Sequence, residues 1–311
     1  MDCVIVSQGG MSFDIVSETL SEYLGCRWYV WDWKRFIDAK NVIIVGNPGP
    51  RVTMVALHYR NRNQIWYIVA EGVPIYTPAR VVAKDLTPYI ITPSRNSRRN
   101  LELLGIYVDR IVPNALRFKP LDPERIGVIK RKNRFLYIGF YDHRKYPPFS
   151  RRLVELLGGE LTVVTTSSNK IVHDNGKPLC NVIYNDDMLS DDDILSLYFK
   201  HKMYLSLTTL EGFGMPIVEA MSQGCIPVVP DTEPFNEICS TDTCWFYRLT
   251  DNVVEITHNY QIMMIRAYDP EELYRVTRWI DYDYTMAING IKRSHDFLPD
   301  KVYSVIREFM R

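Results

Sequence analysis

Several familiar features are missing from this chain of 311 residues. No stretch of about 18 consecutive apolar residues occurs, so no segment reads as a membrane-spanning helix. Net charge is absent: 37 Lys and Arg balance 37 Asp and Glu, and no whole-chain field argues for nucleic acid as a partner. There is no Cys-x-x-Cys pair, and none of the six cysteines has a histidine at zinc-ligand spacing. Repeats of solenoid length and low-complexity tracts are lacking too. The opening Met-Asp-Cys-Val-Ile-Val has no basic run before its apolar residues, so no secretory signal is expected. Cys3, Cys26, Cys180, Cys225, Cys239 and Cys244 sit mainly in apolar runs, as Cys225 does before Ile226. Reduced, buried thiols and a cytoplasmic location are the expectation.

What is present is enough apolar sequence, 46% of residues, to build more than one core. At this length two domains are the default. Charge is divided unevenly: residues 1–120 hold 15 Lys/Arg against 10 Asp/Glu, leaving 22 against 27 for the remainder. The first part therefore has a modest attraction for anions.

Short β-branched runs alternate with segments of helical period. "CVIVSQGG" reads as a strand closed by a glycine turn, and "MSFDIVSETLSEYLG" as a helix stopped by Gly25. "NVIIVGNPGP", "IWYIVAEG" and "YIITPS" are further strands. Ser94 N-caps a helix that Gly105 ends. A polar stretch, "RFKPLDPERIGVIKRKN", reads as a linker, after which the alternation restarts with "RFLYIGF", "ELTVVTTS", "NVIYN", "MYLSLT" and "CIPVVP". This predicts two parallel-sheet α/β domains, 1–120 and 121–295. Residues 296–311, with Val302, Ile306 and Phe309 at helical spacing, are expected to form a final amphipathic helix returning to the first domain.

The segment "LEGFGMPIVEAMSQGCIPVV" carries the chemistry. Glu211 stands past the carboxyl end of a strand, Gly212-Phe213-Gly214 forms a loop, and Pro216 suits a first helical turn. The helix should run to Gln223 and stop at Gly224, with Glu219 about one turn in. Glycines let backbone amides approach a ligand, and a helix N-terminus offers N–H donors to anions. Carboxylates accept hydrogen bonds from hydroxyls, so a polyol beside a phosphate is a natural ligand. The plainer alternative makes Glu211 a solvated loop residue and Glu219 a partner of the helix dipole.

"EGFGMPIVEAMSQGCIPVV" resembles the E-x7-E signature of the retaining glycosyltransferases of family 4, which have the GT-B fold of two facing Rossmann-like domains with a donor cleft between them. The likeness extends through "LSDDDILSLYFKHKMYLSLTTLEGFG", "SQGGMS" and "YIITPSRNSRRNLELLGIYVDRIVPNA". It implies that Glu211, Gly212 and the amides of Phe213 and Gly214 hold the donor sugar, and that Glu219 accepts the ribose hydroxyls. In "FLYIGFYDHRKYPPF", Gly139, Arg144 and Lys145 match a diphosphate-gripping strand end, although Phe140 replaces the arginine that usually follows the glycine. Gly9 and Gly10 match the family's glycine loop, whose amides approach the donor phosphates and which borders the acceptor site. Glu71-Gly72 occupies the place of a histidine near the anomeric carbon, which makes Glu71 a catalytic candidate beside Glu211 and Lys145. His58 is the alternative histidine, and Thr232, Glu233 and Glu237 are secondary candidates.

The implied reaction moves a sugar from a nucleotide diphosphate, UDP or GDP among the options, to an acceptor glycan, lipid or protein. It proceeds with retention at an oxocarbenium-like carbon, the departing phosphate helping to deprotonate the acceptor. No metal and no cofactor beyond the nucleotide-sugar substrate are implied. Asp281-Tyr282-Asp283 spells a metal-binding Asp-x-Asp, but follows a helical segment rather than a central strand. Arg95, Arg98 and Arg99, with Arg60 and Arg62, form a basic set that reads as a solvated face or as a weak contact with an anionic membrane surface. Two other classes stay open: a nucleotide-sugar or glycan-binding protein without catalysis, and a phosphorylase or epimerase on the same fold.

Overall fold

The computed structural model describes residues 2–139, 150–168, 172–186, 189–208 and 210–310. The chain divides into two compact units: Met1–Arg117 with Glu255–Met263 and Asp296–Arg311, and Phe118–Val254 with Met264–His295.

In unit 1 the elements run β1 (Cys3–Ser7), α1 (Met11–Leu24), β2 (Arg27–Val30), β3 (Asn41–Gly46), α2 (Pro50–His58), β4 (Asn63–Ile68), β5 (Val73–Pro74), α3 (Thr77–Leu86), β6 (Tyr89–Thr92), α4 (Arg95–Leu104) and β7 (Arg110–Ile111). Six strands form one parallel sheet in the order β2-β1-β3-β4-β6-β7. Every residue of β1 and β3 is buried, because helices cover both faces of a parallel sheet and its central strands cannot alternate. Helix α1 turns Val16, Leu20 and Leu24 inward, one residue per turn. Burying each such side chain stabilises the fold by about 1.5–3 kcal/mol. Gly25 ends α1 in the left-handed conformation, and Ser94 accepts from the Ser97 N–H at the start of α4.

Unit 2 repeats the plan with β8 (Asn133–Ile138), α5 (Arg151–Leu157), β9 (Leu161–Thr165), a small hairpin β10 (His173–Asp174) and β11 (Lys177–Pro178), β12 (Asn181–Tyr184), α6 (Asp191–Lys200), β13 (His201–Leu205), α7 (Met215–Ser222), β14 (Ile226–Pro230), α8 (Phe235–Ile238) and β15 (Trp245–Tyr247). Its parallel sheet has the order β12-β9-β8-β13-β14-β15. The strands β16 (Val253–His258) and β17 (Gln261–Arg266) follow, then α9 (Pro270–Trp279), α10 (Tyr284–Ser294) and α11 (Pro299–Val302). Helix α10 packs on α7, with Gly290 against the Met221 side chain.

Four features depart from the sequence-based expectation. Cys3 and Cys26 form a disulfide, their Cα atoms 5.2 Å apart, so the reduced-thiol reading holds only for the buried Cys180, Cys225, Cys239 and Cys244. Pairing of β1 with β2 brings together residues 23 apart in sequence. The segment 296–311 is not one helix: 3-10 turns His295–Phe297 and Ser304–Phe309 flank the four-residue α11. Pro299 holds the preceding Leu298 extended, which interrupts the helix. Val302 and Ile306 are buried nonetheless, and Phe309 packs on Tyr89 with ring centroids 4.8 Å apart.

The third departure lies in the polar linker, which contains a 3-10 helix, Pro123–Val128, and a deeply buried arginine. Arg131 donates through Nη1 to the carbonyls of Tyr198, Phe199 and His201, and through Nη2 to that of Gln223. It thereby caps the carboxyl ends of both α6 and α7, where helix carbonyls lack partners and the dipole favours a cation. The fourth is the β16–β17 hairpin, whose tip counts with unit 1 although its flanks belong to unit 2.

Candidate active site

In open parallel sheets ligands bind beyond the carboxyl ends of the strands, at the point where strand order reverses. For unit 2 that point lies between β8 and β13. A crevice is found there, lined by Tyr137 and Ile138 at the end of β8, Tyr204 of β13, the following residues Ser206–Thr208, then Glu211, Gly214, Pro216, Ile217 and Phe235.

The strand-to-helix turn that forms its wall is set by local sequence. Thr208 Oγ1 donates to the Leu210 carbonyl, 3.0 Å, closing the loop on itself. Gly214 has φ 108°, a conformation other residues adopt only under strain, and its position as N-cap starts α7 without any side-chain cap. Pro216 sits in the first turn. No acidic residue occupies that turn, where the helix dipole favours negative charge. Phe213 is buried under the loop and Glu211 is half-buried at its edge.

Glu219 is placed differently from Glu211. It is 5% exposed, does not line the crevice, and its Oε2 accepts from the Tyr198 hydroxyl at 3.1 Å. Both carboxylates nevertheless act on one phenol. Burial first, then the charges of Tyr137, Glu211 and Glu219, push Tyr204 well above the ordinary tyrosine range. The rings of Tyr198 and Tyr204 meet edge to face at 5.9 Å, and neither residue belongs to a motif that the sequence displays. Gly139 follows β8 beside the crevice, and a Cβ there would collide with the Tyr137 hydroxyl. Phe140, Arg144 and Lys145, the expected diphosphate contacts, lie outside the described residues.

Unit 1 reverses its strand order between β1 and β3. Gly9 and Gly10 follow β1 with φ 90° and 113°, and Gly10 starts α1, again without a side-chain cap. This loop is stitched to its surroundings. Ser7 Oγ accepts from Gly9 N–H and donates to Asp14; Gln8 Oε1 accepts from Asn47 N–H; Arg51 donates to the Gln8 carbonyl at 2.9 Å.

Glu71 follows β4 and is half-buried on a pinned loop. Ser97 Oγ bonds both the N–H and the carbonyl of Ala70, Asn100 donates to the same carbonyl, and Gln261 Oε1 accepts from Gly72 N–H at 3.0 Å. Gly72 is required because Ile262 passes so close that any Cβ would strike its carbonyl.

The structure places the other candidates as follows. His58 lies among Trp31, Phe36 and Tyr59, each ring centroid 5.2 Å away. Asp283 N-caps α10 through Thr285 and Met286, while Asp281 pairs with Lys202 at 3.5 Å. Thr232 and Glu233 precede the short α8, in which Glu237 lies. In the basic set, Arg98 pairs with Glu102 and Arg62 with Asp38. No helix among the described residues is long and apolar enough to cross a membrane.

Two viral proteins are similar in sequence. One, provisionally named glycosyltransferase 41, from Sulfolobus islandicus filamentous virus, is 28% identical over 130 residues, 40% of this chain and 39% of that protein. The other, the provisional glycosyltransferase ORF330 of Acidianus filamentous virus 2, is 37% identical over 49 residues, 16% of this chain and 15% of its own. The matched regions thus span well under half of either relative. No protein-family model matches the chain.

Solved structures match over nearly the whole length. Sucrose-phosphate synthase from Thermosynechococcus elongatus has a TM-score of 0.69 at 12% identity, covering 99% of this chain and 98% of that one. Anabaena HepE in complex with UDP and glucose gives 0.66 at 13%, covering 99% of both. Trehalose-6-phosphate synthase OtsA gives 0.67 at 10%, again over 99% of each. The fold is therefore GT-B, with two Rossmann-like domains.

Proposed function

We propose that the chain is a retaining glycosyltransferase that moves a sugar from a nucleotide-diphosphate donor to an acceptor hydroxyl without a metal ion. The observation that carries this reading is the crevice at the unit 2 strand-order reversal, where Glu211 and an uncapped helix N-terminus share one wall. A carboxylate at its edge suits sugar hydroxyls, and the start of α7 suits a phosphate. The names of the two viral relatives and the UDP bound to HepE support the same reading, with UDP as the nucleotide to try first.

In this scheme Glu211 and the amides of Phe213 and Gly214 hold the donor sugar. Lys145 and Arg144 would neutralise the charge that gathers on the diphosphate as the glycosidic bond breaks. The departing phosphate accepts the acceptor proton on the same face of the sugar, which gives retention. Gly9, Gly10 and Glu71 of unit 1 would serve the acceptor side.

Glu219 has two readings. As the ribose ligand it would give up or share its bond with Tyr198. Its burial favours a second role, as an internal carboxylate that fixes α7 to α6 through that bond. Calorimetry separates them: a ribose ligand replaced in Glu219→Ala weakens UDP binding about tenfold, the loss of one hydrogen bond to a charged group. A structural carboxylate lowers the melting temperature and leaves UDP affinity intact.

Incubation with UDP-glucose and a glycoside acceptor, followed by NMR of the product, tests the whole proposal. A new α-glycosidic bond, formed equally well with EDTA present, is expected. UDP binding without transfer or hydrolysis would instead identify a nucleotide-sugar-binding protein. A sugar phosphate or an isomerised sugar would identify a phosphorylase or an epimerase.

A further inference from the structure

The β16–β17 hairpin takes no part in the donor crevice, yet its tip is built into unit 1 at the end of the sheet where ligands bind. Strand β17 runs antiparallel to β5, Ile262 opposite Val73 and Gln261 opposite Pro74, and Ile75 N–H donates to the Tyr260 carbonyl at 2.8 Å. The tip thus borders the loops that follow β3 and β4. Tyr260 stands beside Gly49, its Cδ2 3.5 Å from where a Cβ would be, and meets the Tyr76 ring edge to face at 5.4 Å. Gln261, 1% exposed, holds the Gly72 amide next to Glu71.

The turn residues are the informative part. Asn259 and Tyr260 both have positive φ, 47° and 60°. A two-residue hairpin turn of that hand favours Asn followed by Gly, because glycine alone adopts the second position without steric cost. A tyrosine there costs on the order of 1 kcal/mol. The residue is also 52% exposed, so core burial does not repay that strain. The edge-to-face contact with Tyr76 offsets part of that strain, and the exposed remainder of the ring is available to something outside the fold.

We infer that Tyr260 is an acceptor-recognition residue, its exposed ring the platform for the pyranose ring of a saccharide acceptor. The apolar C–H face of a pyranose packs on an aromatic face, while its rim hydroxyls seek acceptors such as the Glu71 carboxylate at the same end of the sheet. Tyr76 braces the platform, and the β17–β5 pairing holds it in register. This inference rests on the transferase reading for the word acceptor, and on the hairpin alone for the saccharide site.

The test uses the full chain as wild type, Tyr260→Gly and Tyr260→Phe. Saturation-transfer NMR is run with methyl α- and β-glycosides of glucose, galactose, mannose and N-acetylglucosamine, alongside UDP affinity and melting temperature. Saturation transfer to at least one glycoside is expected to fall fivefold or more in Tyr260→Gly and to persist in Tyr260→Phe. UDP affinity should stay within twofold, and the melting temperature of Tyr260→Gly should equal or exceed that of wild type. Equal saturation transfer in Tyr260→Gly, or none from the wild type, would overturn the inference. So would a lowered melting temperature with saccharide contact intact, which makes the ring structural. Tyr260-dependent saccharide contact in a protein that binds no nucleotide would uphold the platform and defeat the transferase reading alone.

Discussion

The two units open a helix at the same kind of place, beyond a central parallel strand where strand order reverses, and both use an uncapped glycine. Gly10 has φ 113° and Gly214 φ 108°. Their surroundings differ in one decisive respect. Helix α1 carries Asp14 in its first turn, so its positive end already has a carboxylate from the chain, and that carboxylate also anchors Ser7. Helix α7 has no acid in its first turn. The same backbone device thus has a carboxylate in its first turn in unit 1 and none in unit 2, and on the proposed reading that difference makes α7 the better place for an anionic ligand. On the proposed reading, phosphate binding is expected at α7 rather than at Gly9 and Gly10.

The comparison can be broken most severely at Glu211. Glu211→Ala should lower transfer about 100-fold, the loss of roughly 2–3 kcal/mol in hydrogen bonds to a charged group, with UDP affinity little changed. Equal losses in turnover and UDP affinity would mean that the residue shapes the site rather than gripping the sugar.

A matched pair of glycine substitutions sharpens it. In Gly214→Ala the new Cβ meets Ile217 Cδ1 at 3.1 Å on a left-handed backbone, and a destabilisation of about 2 kcal/mol with weaker UDP binding is expected. In Gly10→Ala the nearest atom is Phe13 Cδ2 at 3.8 Å, so only the backbone term of about 1 kcal/mol should appear, with UDP binding unchanged. Denaturant melts and UDP titrations of both variants check this; a larger effect on UDP binding from Gly10→Ala would reverse the assignment.

The smallest expected effect is a pH dependence confined to unit 2. His201 is buried, and burial, opposed in part by the 2.7 Å bond between Nδ1 and the Leu197 carbonyl and reinforced by the charges of Arg131 and Lys200, lowers its pKa below 6.5. A neutral histidine in the fold and a protonatable one in the unfolded chain mean that stability is full above pH 6.5. It declines as pH falls from there towards the folded-state value. His201→Gln should flatten this part of the melting profile between about pH 7 and 5; an unchanged slope would place the dependence elsewhere.

Much of this architecture can be read from the residues alone, for physical reasons. Strands β1, β3, β9 and β14 are apolar runs because they are buried on both faces, and Gly25, Ser94 and Gly105 act at helix ends as their side chains dictate. The loop 211–214 announces itself by glycines that ordinary helices avoid. What the pattern hides is whatever depends on distant partners. Arg131 looks like one cation in a basic run, and only the fold brings four helix-end carbonyls around it. The Cys3–Cys26 pair needs two adjacent strands. The β16–β17 turn is masked because Asn-Tyr stands where Asn-Gly would have signalled a hairpin. Glu219 shows the converse: its spacing from Glu211 is plain in the sequence, but its bond to Tyr198 is not.

The central claim is that a nucleotide sugar binds at the start of α7. Hydrogen–deuterium exchange with and without UDP tests it most directly. Slowed exchange concentrated in residues 206–222 is predicted, where the crevice wall and the helix N-terminus lie. Protection confined to unit 1, or no protection in that segment at saturating UDP, would contradict it.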